Sequence, residues 1–224
     1  MSNYEQLQRT DFWNEQRKYK FTSSSIHKLM SDPKSAADKA KGLLSGTAKS
    51  YILEKIAQEL DGFIPDVTNE ATVWGIEKED KARKWYEKLT GNIWKPVGFE
   101  KYNDFYGGSP DGKVETQDGE QGALEIKCPY NSTNHLKHCL IDSAEYFRKE
   151  HPEYYFQCVS HMITLGKDIK FCDFVSFDDR IQKSLGFFIF RLKRDISVEN
   201  ELLIRIERAN DYKLQLMKRF KLIS

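Results

Sequence analysis

The stretch YGGSPDGKVETQDGEQGALEIKCPYN, residues 106–131, combines a Gly/Pro-rich turn with two runs typical of β-strands. The runs GKVET and ALEIK are joined by the polar turn QDGEQG, which predicts a β-hairpin. Asp111 lies in the turn before the first strand, whereas Glu125 and Lys127 lie in the second strand. Because side chains alternate along a strand, Glu125 and Lys127 should share one face, opposite the apolar residues beside them. The stretch therefore predicts a strand with a core face and a chemical face.

The hairpin would bring Asp111 beside Glu125, so that two carboxylates converge. The two would repel one another and one would tend to hold a proton, unless a hard divalent cation such as Mg²⁺ binds between them. The backbone carbonyl of Ile126 offers a further oxygen ligand. The ammonium of Lys127 could orient an attacking water or help to deprotonate it. This chemistry suits phosphodiester hydrolysis, although the tripeptide ExK taken alone more often forms a solvent-facing ladder on an amphipathic strand.

Length and composition limit the number of domains, the kind of partner and the cellular compartment that we expect. A chain of 224 residues is long enough for one well-buried domain, which we expect to span residues 1–224. Its 35 basic and 34 acidic residues give no global basic field, so any anion site must be local. The four cysteines form no CxxC pair and the N-terminus has no apolar signal region, which favours a reducing cytoplasm. The apolar runs are far shorter than the roughly 20 residues that span a bilayer, so we expect a soluble protein.

Helix and strand signals alternate along the chain. The segment GTAKSYILEKIAQELDG predicts a helix that ends at Gly62, and a second helix is predicted from about Asn69 to Gly91. After the hairpin, HPEYYFQCVSHMITLG predicts a helix from near Pro152 to Gly166. The runs IKFCDFVSF and FFIFRLK are typical of strands, and a last helix follows them. This order favours an α/β fold with a central mixed sheet and helices on both sides.

The hairpin also resembles a known nuclease motif. Asp111 after Pro110, followed at hairpin distance by Glu125-Ile126-Lys127, is similar to the motif of the PD-(D/E)xK nuclease superfamily. The stretch GGSPDG…ALEIKCP resembles the form found in phage lambda exonuclease and the YqaJ-type viral recombinases. The resemblance extends from about Trp13 to the final strands. It implies a restriction-endonuclease-like α/β fold, with a central mixed sheet flanked by helices.

The resemblance implies an activity and its partners. We expect a Mg²⁺-dependent double-stranded DNA exonuclease that digests processively from 5′ to 3′ and leaves 3′ single strands for recombination by strand annealing. Two Mg²⁺ ions, or Mn²⁺ in their place, would bind at each active site. The expected partners are double-stranded DNA ends, two further copies of the chain in a ring-shaped homotrimer, and a single-strand annealing protein, with no membrane. The expected location is the cytoplasm of a bacterial host, for a protein of phage or prophage origin.

Two helices contribute to the catalytic residues that the resemblance implies. Glu79, in VWGIEKEDKARKWYEKLTG, matches the glutamate of the family's WG…E..AR helix, which faces the metal site, and its spacing from Ala82 also predicts an inward direction. Gln157 matches a glutamine that supports the catalytic centre and DNA, whereas Val159 replaces a second glutamine found in many relatives. His161 is interpreted as a core or surface histidine. The implied catalytic residues are Asp111, Glu125, Lys127, Glu79 and Gln157, and the implied metal ligands are Asp111, Glu125, Glu79 and Ile126.

The N-terminal segment FWNEQRKYKFTSSSIHKLM resembles the family's W…R.G.ITAS start, which helps to bind the DNA end. Arg17, Thr22 and Ser24 match that pattern, and Ser109 matches a serine that approaches the terminal 5′ phosphate. Tyr19 replaces the family's glycine, which leaves the loop geometry open. Taken alone, Ser24 is predicted to be a helix cap.

The sequence does not exclude two other functions. A structure- or sequence-directed DNA endonuclease of the same superfamily would use the same motif, and so would a DNA-end-binding protein without catalysis, although the intact motif argues against the latter. Nothing in the residues themselves shows 5′ rather than 3′ attack. A zinc site is a weaker alternative, because its candidate ligands lack a CxxC or HxxxH pair and NHLKHCL is also typical of an amphipathic helical turn over DNA. Those candidates are Cys128, His135, His138 and Cys139.

Overall fold

A five-stranded mixed sheet lies at the centre of the protein, whose computed structural model describes residues 8–62 and 69–223. The ends of the expected 1–224 domain and residues 63–68 lie outside the described residues. The strand order is β2-β5-β6-β7-β8, and all neighbours are antiparallel except the parallel pair β6 and β7. The described strands are β1 (Phe21–Thr22), β2 (Ile93–Lys95), β3 (Glu100–Asn103), β4 (Tyr106–Gly108), β5 (Gly112–Glu115), β6 (Gln121–Lys127), β7 (Ile169–Phe177) and β8 (Phe187–Lys193).

Helices cover both faces of this sheet. Ala82 and Tyr86 of α5 pack against Leu124 on one face, and Cys158 of α8 packs in the cluster that contains Phe174 on the other. The predicted central mixed sheet flanked by helices is therefore confirmed. The described α-helices are α1 (Asp11–Arg17), α2 (His27–Met30), α3 (Ala36–Ala40), α4 (Gly46–Asp61), α5 (Glu70–Thr90), α6 (Ser132–His138), α7 (Ala144–Glu150), α8 (Pro152–Leu165) and α9 (Ile196–Arg219).

The predicted helix ends agree with the structure. The Asn69 side chain accepts a hydrogen bond from the backbone N–H of Thr72 at the start of α5. Gly62 and Gly91 end α4 and α5 in the left-handed conformation, each with φ of +68°, which glycine adopts without steric cost. Pro152 occupies the first turn of α8. No helix in the described ranges has both the length and the apolar composition needed to cross a membrane.

The hairpin of β5 and β6 forms as predicted, with Gly112 opposite Leu124 and Glu115 opposite Gln121. The predicted core face and chemical face of β6 are both present, with Leu124 and Ile126 in an apolar cluster and Lys127 in contact with Glu125 on the other side. β6 is an interior strand, and Leu124 and Glu125 are both buried although they point in opposite directions. His161 of α8 contacts Glu125, so the chemical face lies beneath α8 rather than in solvent.

A second, three-stranded sheet was not predicted from the sequence. β1 pairs in parallel with β4, and β4 pairs antiparallel with β3. The absent side chain of Gly108 allows the Ser23 hydroxyl to approach β4, because a Cβ at position 108 would clash with the Ser23 Oγ. This sheet fixes the N-terminal segment beside the turn that precedes the hairpin.

Candidate active site

A pocket of about 420 Å³ lies where β6, α5, α8 and the N-terminal segment meet. It brings together every site residue expected from the motif and the resemblance, although these residues come from widely separated parts of the sequence. They are Arg17, Thr22, Ser24, Glu79, Ser109, Asp111, Glu125, Ile126, Lys127 and Gln157.

Backbone contacts hold Asp111 against β6. Its N–H donates to the Leu124 carbonyl at 3.0 Å, and its Oδ2 accepts from the Ile126 N–H at 2.6 Å. The Trp94 indole donates to the Asp111 carbonyl at 3.0 Å, an approach that the missing Cβ of Gly112 permits. The turn therefore presents the Asp111 carboxylate at the strand beside Glu125, as the hairpin predicts.

Burial raises the pKa of Asp111 well above its ordinary value, and the negative charges of Glu125 and Glu79 raise it further. Lys127 and the Ile126 N–H act in the opposite direction without reversing the shift. Burial and the two neighbouring acids therefore disfavour the ionised form of the carboxylate at position 111.

Glu125 is 1% exposed and has two cationic or donor partners. Lys127 Nζ lies 2.5 Å from Oε1, and His161 Nε2 lies 2.7 Å from Oε2. Burial opposes ionisation of Glu125, but Lys127 and His161 outweigh it, and the pKa of Glu125 is lowered. The carboxylate is thus an acceptor, and His161 Nε2 must carry the proton that it donates.

Lys127 lies between this carboxylate and the ring of Tyr154, whose centroid is 5.1 Å from Nζ. Burial acts to lower the pKa of Lys127, but Glu125 and Asp111 raise it more, and the net direction is upward. Lys127 is therefore a cation at neutral pH. Of the two roles expected for it, a cation suits orientation of the attacking water better than removal of its proton.

Glu79 faces the pocket from α5, as its helical spacing predicts, and is 7% exposed. Its Oε1 accepts from Arg83 Nη1 at 2.9 Å, and its Oε2 accepts from Arg9 Nη2 at 2.5 Å. Both carboxylate oxygens therefore contact guanidinium groups. Each oxygen keeps a second lone pair, so these contacts hold the Glu79 carboxylate in place and leave it able to bind a metal ion.

The carboxylates of Asp111 and Glu125 fit a hard divalent cation by their chemistry. A cation there would relieve the repulsion that raises the pKa of Asp111, and the carbonyl of Ile126 adds an oxygen to the same strand segment. In the described ranges, no three His, Cys, Asp or Glu side chains are grouped closely enough to hold a metal ion. Asp111 and Glu125 are the carboxylates nearest the Ile126 carbonyl oxygen, and the expected participation of Glu79, which lines the same pocket, stays a prediction.

Cationic and hydroxyl side chains from the N-terminal segment line another part of the pocket. Arg17 stacks on the Trp13 ring, with Cζ 3.9 Å from the centroid, and Trp13 Nε1 donates to Ser109 Oγ at 2.9 Å. Burial lowers the pKa of Arg17 to about 10, so the guanidinium stays charged at neutral pH although it is poorly hydrated. A half-buried cation of this kind is stabilised by an anion.

The loop that carries these groups keeps a glycine-like backbone at Tyr19. Tyr19 has φ of +65°, in the left-handed region that favours glycine, so the conformation is adopted despite the substitution. Thr22 Oγ1 and Ser24 Oγ are 3.4 Å apart in the following turn. The prediction that Ser24 is a helix cap is wrong: it lies within a 3₁₀ turn, Ser23–Ser25, and Ile26 precedes α2.

Three further pocket residues were missed or misinterpreted from the sequence. His161 contacts Glu125 rather than serving only as a core histidine, and its position one turn after Gln157 was the signal for it. Trp13 was noted only as part of the N-terminal pattern. Arg9 has no sequence signal, because its partner Glu79 is 70 positions away.

The zinc alternative is not supported, because its candidate residues bond elsewhere. His135 Nε2 lies 2.6 Å from the Leu185 carbonyl, so this nitrogen carries a proton, and His135 Nδ1 accepts from the Ser176 hydroxyl at 2.8 Å. His138 Nδ1 lies 2.8 Å from the same hydroxyl and donates to it. We call His135, His138 and Ser176 the histidine–serine cluster. Cys128 lines the pocket instead.

Comparisons with known proteins agree with this geometry. Residues 12–168 match the family described as YqaJ-like viral recombinase domain. The structure is similar to that of an alkaline exonuclease, LHK-Exo, from Laribacter hongkongensis, with TM-score 0.74, 29% identity, and coverage of 95% of this chain and 96% of that chain. LHK-Exo in complex with dAMP matches with TM-score 0.72, 28% identity, and coverage of 96% and 100%.

A phage-related exonuclease from Haemophilus somnus 129PT matches with TM-score 0.73, 25% identity, and coverage of 90% of this chain and 96% of that chain. Among curated proteins, no significant match was found. The family match spans well over half of the chain, and the structural matches span nearly all of it. The chain belongs to the family of YqaJ-like viral recombinase domains, a family of DNA exonucleases.

Proposed function

We propose that this protein is a divalent-metal-dependent exonuclease that digests double-stranded DNA from its 5′ ends. One observation carries the proposal: a single pocket contains a carboxylate whose ionised form is disfavoured by burial and by the neighbouring acids, Asp111, and a half-buried guanidinium, Arg17. A metal ion stabilises the first and a DNA phosphate stabilises the second. A substrate that contributes phosphates to a metal-binding pocket meets both requirements.

The side chains of the pocket have separate roles in this proposal. Asp111 and Glu125 would hold the metal ion, which would supply Lewis-acid stabilisation of the phosphate oxygens and a more acidic water. Lys127, charged at neutral pH, donates hydrogen bonds to the attacking water or to a phosphate oxygen and stabilises the negative charge that develops there. Gln157 is 7% exposed, and its amide makes no hydrogen bond within the described residues, so both amide hydrogens are available to the DNA backbone.

The proposed polarity depends on the residues around Arg17. A terminal 5′ phosphate carries more negative charge than an internal one and would contact Arg17, with the hydroxyls of Ser24 and Ser109 as further hydrogen-bonding groups. Binding of the 5′ end there would direct hydrolysis to the strand that carries it and leave the 3′ strand single. This product suits recombination by strand annealing in the cytoplasm of a bacterial host.

We further propose that three copies of the chain form a ring around the duplex and pass the single strand to an annealing protein. A ring explains processive digestion with a net charge of only +1, since basic side chains are needed only along the channel. The mass in sedimentation should be near three times 26.2 kDa. Unlabelled competitor DNA, added after digestion starts, should barely slow digestion of the first substrate.

The central experiment compares DNA substrates that differ only in their ends. A linear duplex carrying different labels at its 5′ and 3′ ends, and a closed circle of the same sequence, are incubated with the protein with and without Mg²⁺. The proposal predicts early release of the 5′ label, later loss of the 3′ label, an intact circle, and no digestion in chelator. Cutting of the circle would favour an endonuclease, and binding without cleavage would favour a non-catalytic end binder.

A further inference from the structure

His161 is a buried imidazole with a single hydrogen-bond partner. It is 0% exposed on α8, and its Nε2 donates to Glu125 Oε2 at 2.7 Å. Its other ring nitrogen, Nδ1, is buried and has no hydrogen-bond partner in the described part of the chain. Half of the hydrogen-bonding capacity of this side chain is thus unused.

This arrangement has no advantage for packing alone. A buried polar atom without a partner is unfavourable, so an apolar side chain of similar volume would suit the α8 interior better at position 161. What the imidazole adds is one N–H aimed at a carboxylate. The contact fixes Oε2 of Glu125, while Oε1 contacts Lys127, another residue of the pocket.

We propose that His161 is a positioning residue that fixes the orientation of Glu125 for binding of the divalent metal ion. The inference rests on the proposed metal-dependent function, and it concerns a residue that neither the motif nor the resemblance assigned. Without the N–H at position 161, the Glu125 carboxylate would be free to rotate and to pair with Lys127 through either oxygen. Metal-ligating carboxylates are commonly oriented by such hydrogen bonds, and loss of the partner typically weakens metal affinity about 10- to 100-fold.

Calorimetric titration with Mg²⁺, without DNA, tests the inference on four variants. His161→Leu removes the N–H, His161→Gln keeps an N–H at similar reach, and His161→Asn keeps the amide but shortens it by one methylene. His138→Leu is the matched control, because His138 is also a buried, hydrogen-bonded histidine but lies in the histidine–serine cluster. Thermal melting in chelator reports folding separately.

We expect His161→Leu and His161→Asn to bind Mg²⁺ about 10- to 100-fold more weakly than wild type. His161→Gln should recover most of this affinity, and His138→Leu should retain all of it. Digestion by His161→Asn should fall at limiting Mg²⁺ and recover at high Mg²⁺, with the KM for DNA unchanged, which a general folding defect would not produce. If His161→Leu does not fold, the Gln and Asn pair decides the result.

Wild-type affinity in His161→Asn would overturn the positioning role and leave the metal site intact. Equal weakening in His161→Gln, His161→Asn and His138→Leu would also overturn it, because the effect would then be general. Absence of Mg²⁺ binding to wild type would instead overturn the proposed function, and the inference with it. The two failures are therefore distinguishable.

Discussion

The pocket and the histidine–serine cluster lie side by side, since Lys127 of β6 is paired in register with Ser176 of β7. Both regions bury several titratable groups. In the histidine–serine cluster, the Ser176 hydroxyl donates to one imidazole and accepts from the other. In the pocket, Asp111 is ionised only at a free-energy cost and Arg17 is charged but poorly hydrated. The two regions differ in whether their polar groups satisfy one another. A binding site is therefore recognised by charged groups that a ligand would stabilise further, and not by the number of buried polar groups.

The largest expected effect is loss of turnover when Asp111, Glu125 or Lys127 is replaced by alanine. Asp111→Ala and Glu125→Ala should each abolish detectable digestion, because each removes a proposed metal ligand. Lys127→Ala should slow digestion roughly 100- to 1,000-fold, since the positioned cation is lost, while metal binding persists. Single-turnover digestion of a labelled duplex measures all three rates.

Ser176, on the neighbouring strand β7, provides the control for these three substitutions. Ser176→Ala should cost about 1–3 kcal/mol of stability, because it leaves polar atoms of two buried imidazoles without partners. Its turnover at saturating DNA should stay close to that of wild type. Loss of turnover in Ser176→Ala, with the fold intact, would mean that the two regions are not functionally separate.

A smaller effect on the initial rate is expected for substitutions of the residues proposed to contact the DNA end. Wild type should start faster on 5′-phosphorylated than on 5′-hydroxyl ends, and Arg17→Ala should remove most of the difference. A charge-assisted hydrogen bond contributes about 1.5–3 kcal/mol, or roughly a tenfold to hundredfold rate difference. Ser24→Ala and Ser109→Ala should cost less. Initial rates on the two ends decide the matter: an unchanged ratio in Arg17→Ala would exclude the 5′-phosphate contact.

The smallest effect concerns the pH dependence of stability through His138. Burial lowers the pKa of His138 from 6.5 to about 3, with the neighbouring His151 and His135 acting in the same direction. Below pH 6.5 the unfolded chain binds a proton at this position and the folded protein does not, so stability falls as pH decreases toward 3. Lowering the pH from 7.5 to 5 should therefore decrease the free energy of unfolding by about 2 kcal/mol.

Urea unfolding at both pH values measures this cost in wild type and in His138→Leu. The variant lacks the titrating group and should lose less stability on acidification than wild type. An identical pH dependence in the two proteins would show that His138 is not buried in its neutral form.

The sequence was sufficient to predict the parts of the site that depend on local patterns. The position of Asp111 beside Glu125 follows from one turn and one hairpin register, and the inward direction of Glu79 follows from helical spacing. The ends of α4 and α5 follow from glycines at the left-handed positions, Gly62 and Gly91. These features are encoded within a few residues, so they can be inferred without tertiary structure.

The contacts that the sequence could not predict depend on segments far apart in the chain. Arg9 reaches Glu79 across 70 positions, and Trp13 reaches Ser109 across 96. The coverage of β6 on both faces also depends on α5 and α8, which pack on it from distant parts of the chain, and local alternation of side chains does not determine this. The role of His161 was misinterpreted because it depends on the contact with Glu125, which lies 36 positions away in the sequence.

The central claim is that Asp111 and Glu125 form a binding site for a divalent cation. Calorimetric titration of wild type and Asp111→Ala with Mg²⁺ tests it most directly, with thermal melting in chelator to establish that the variant is folded. We expect saturable Mg²⁺ binding in wild type and loss of that binding in the folded variant. Wild-type affinity in Asp111→Ala would contradict it.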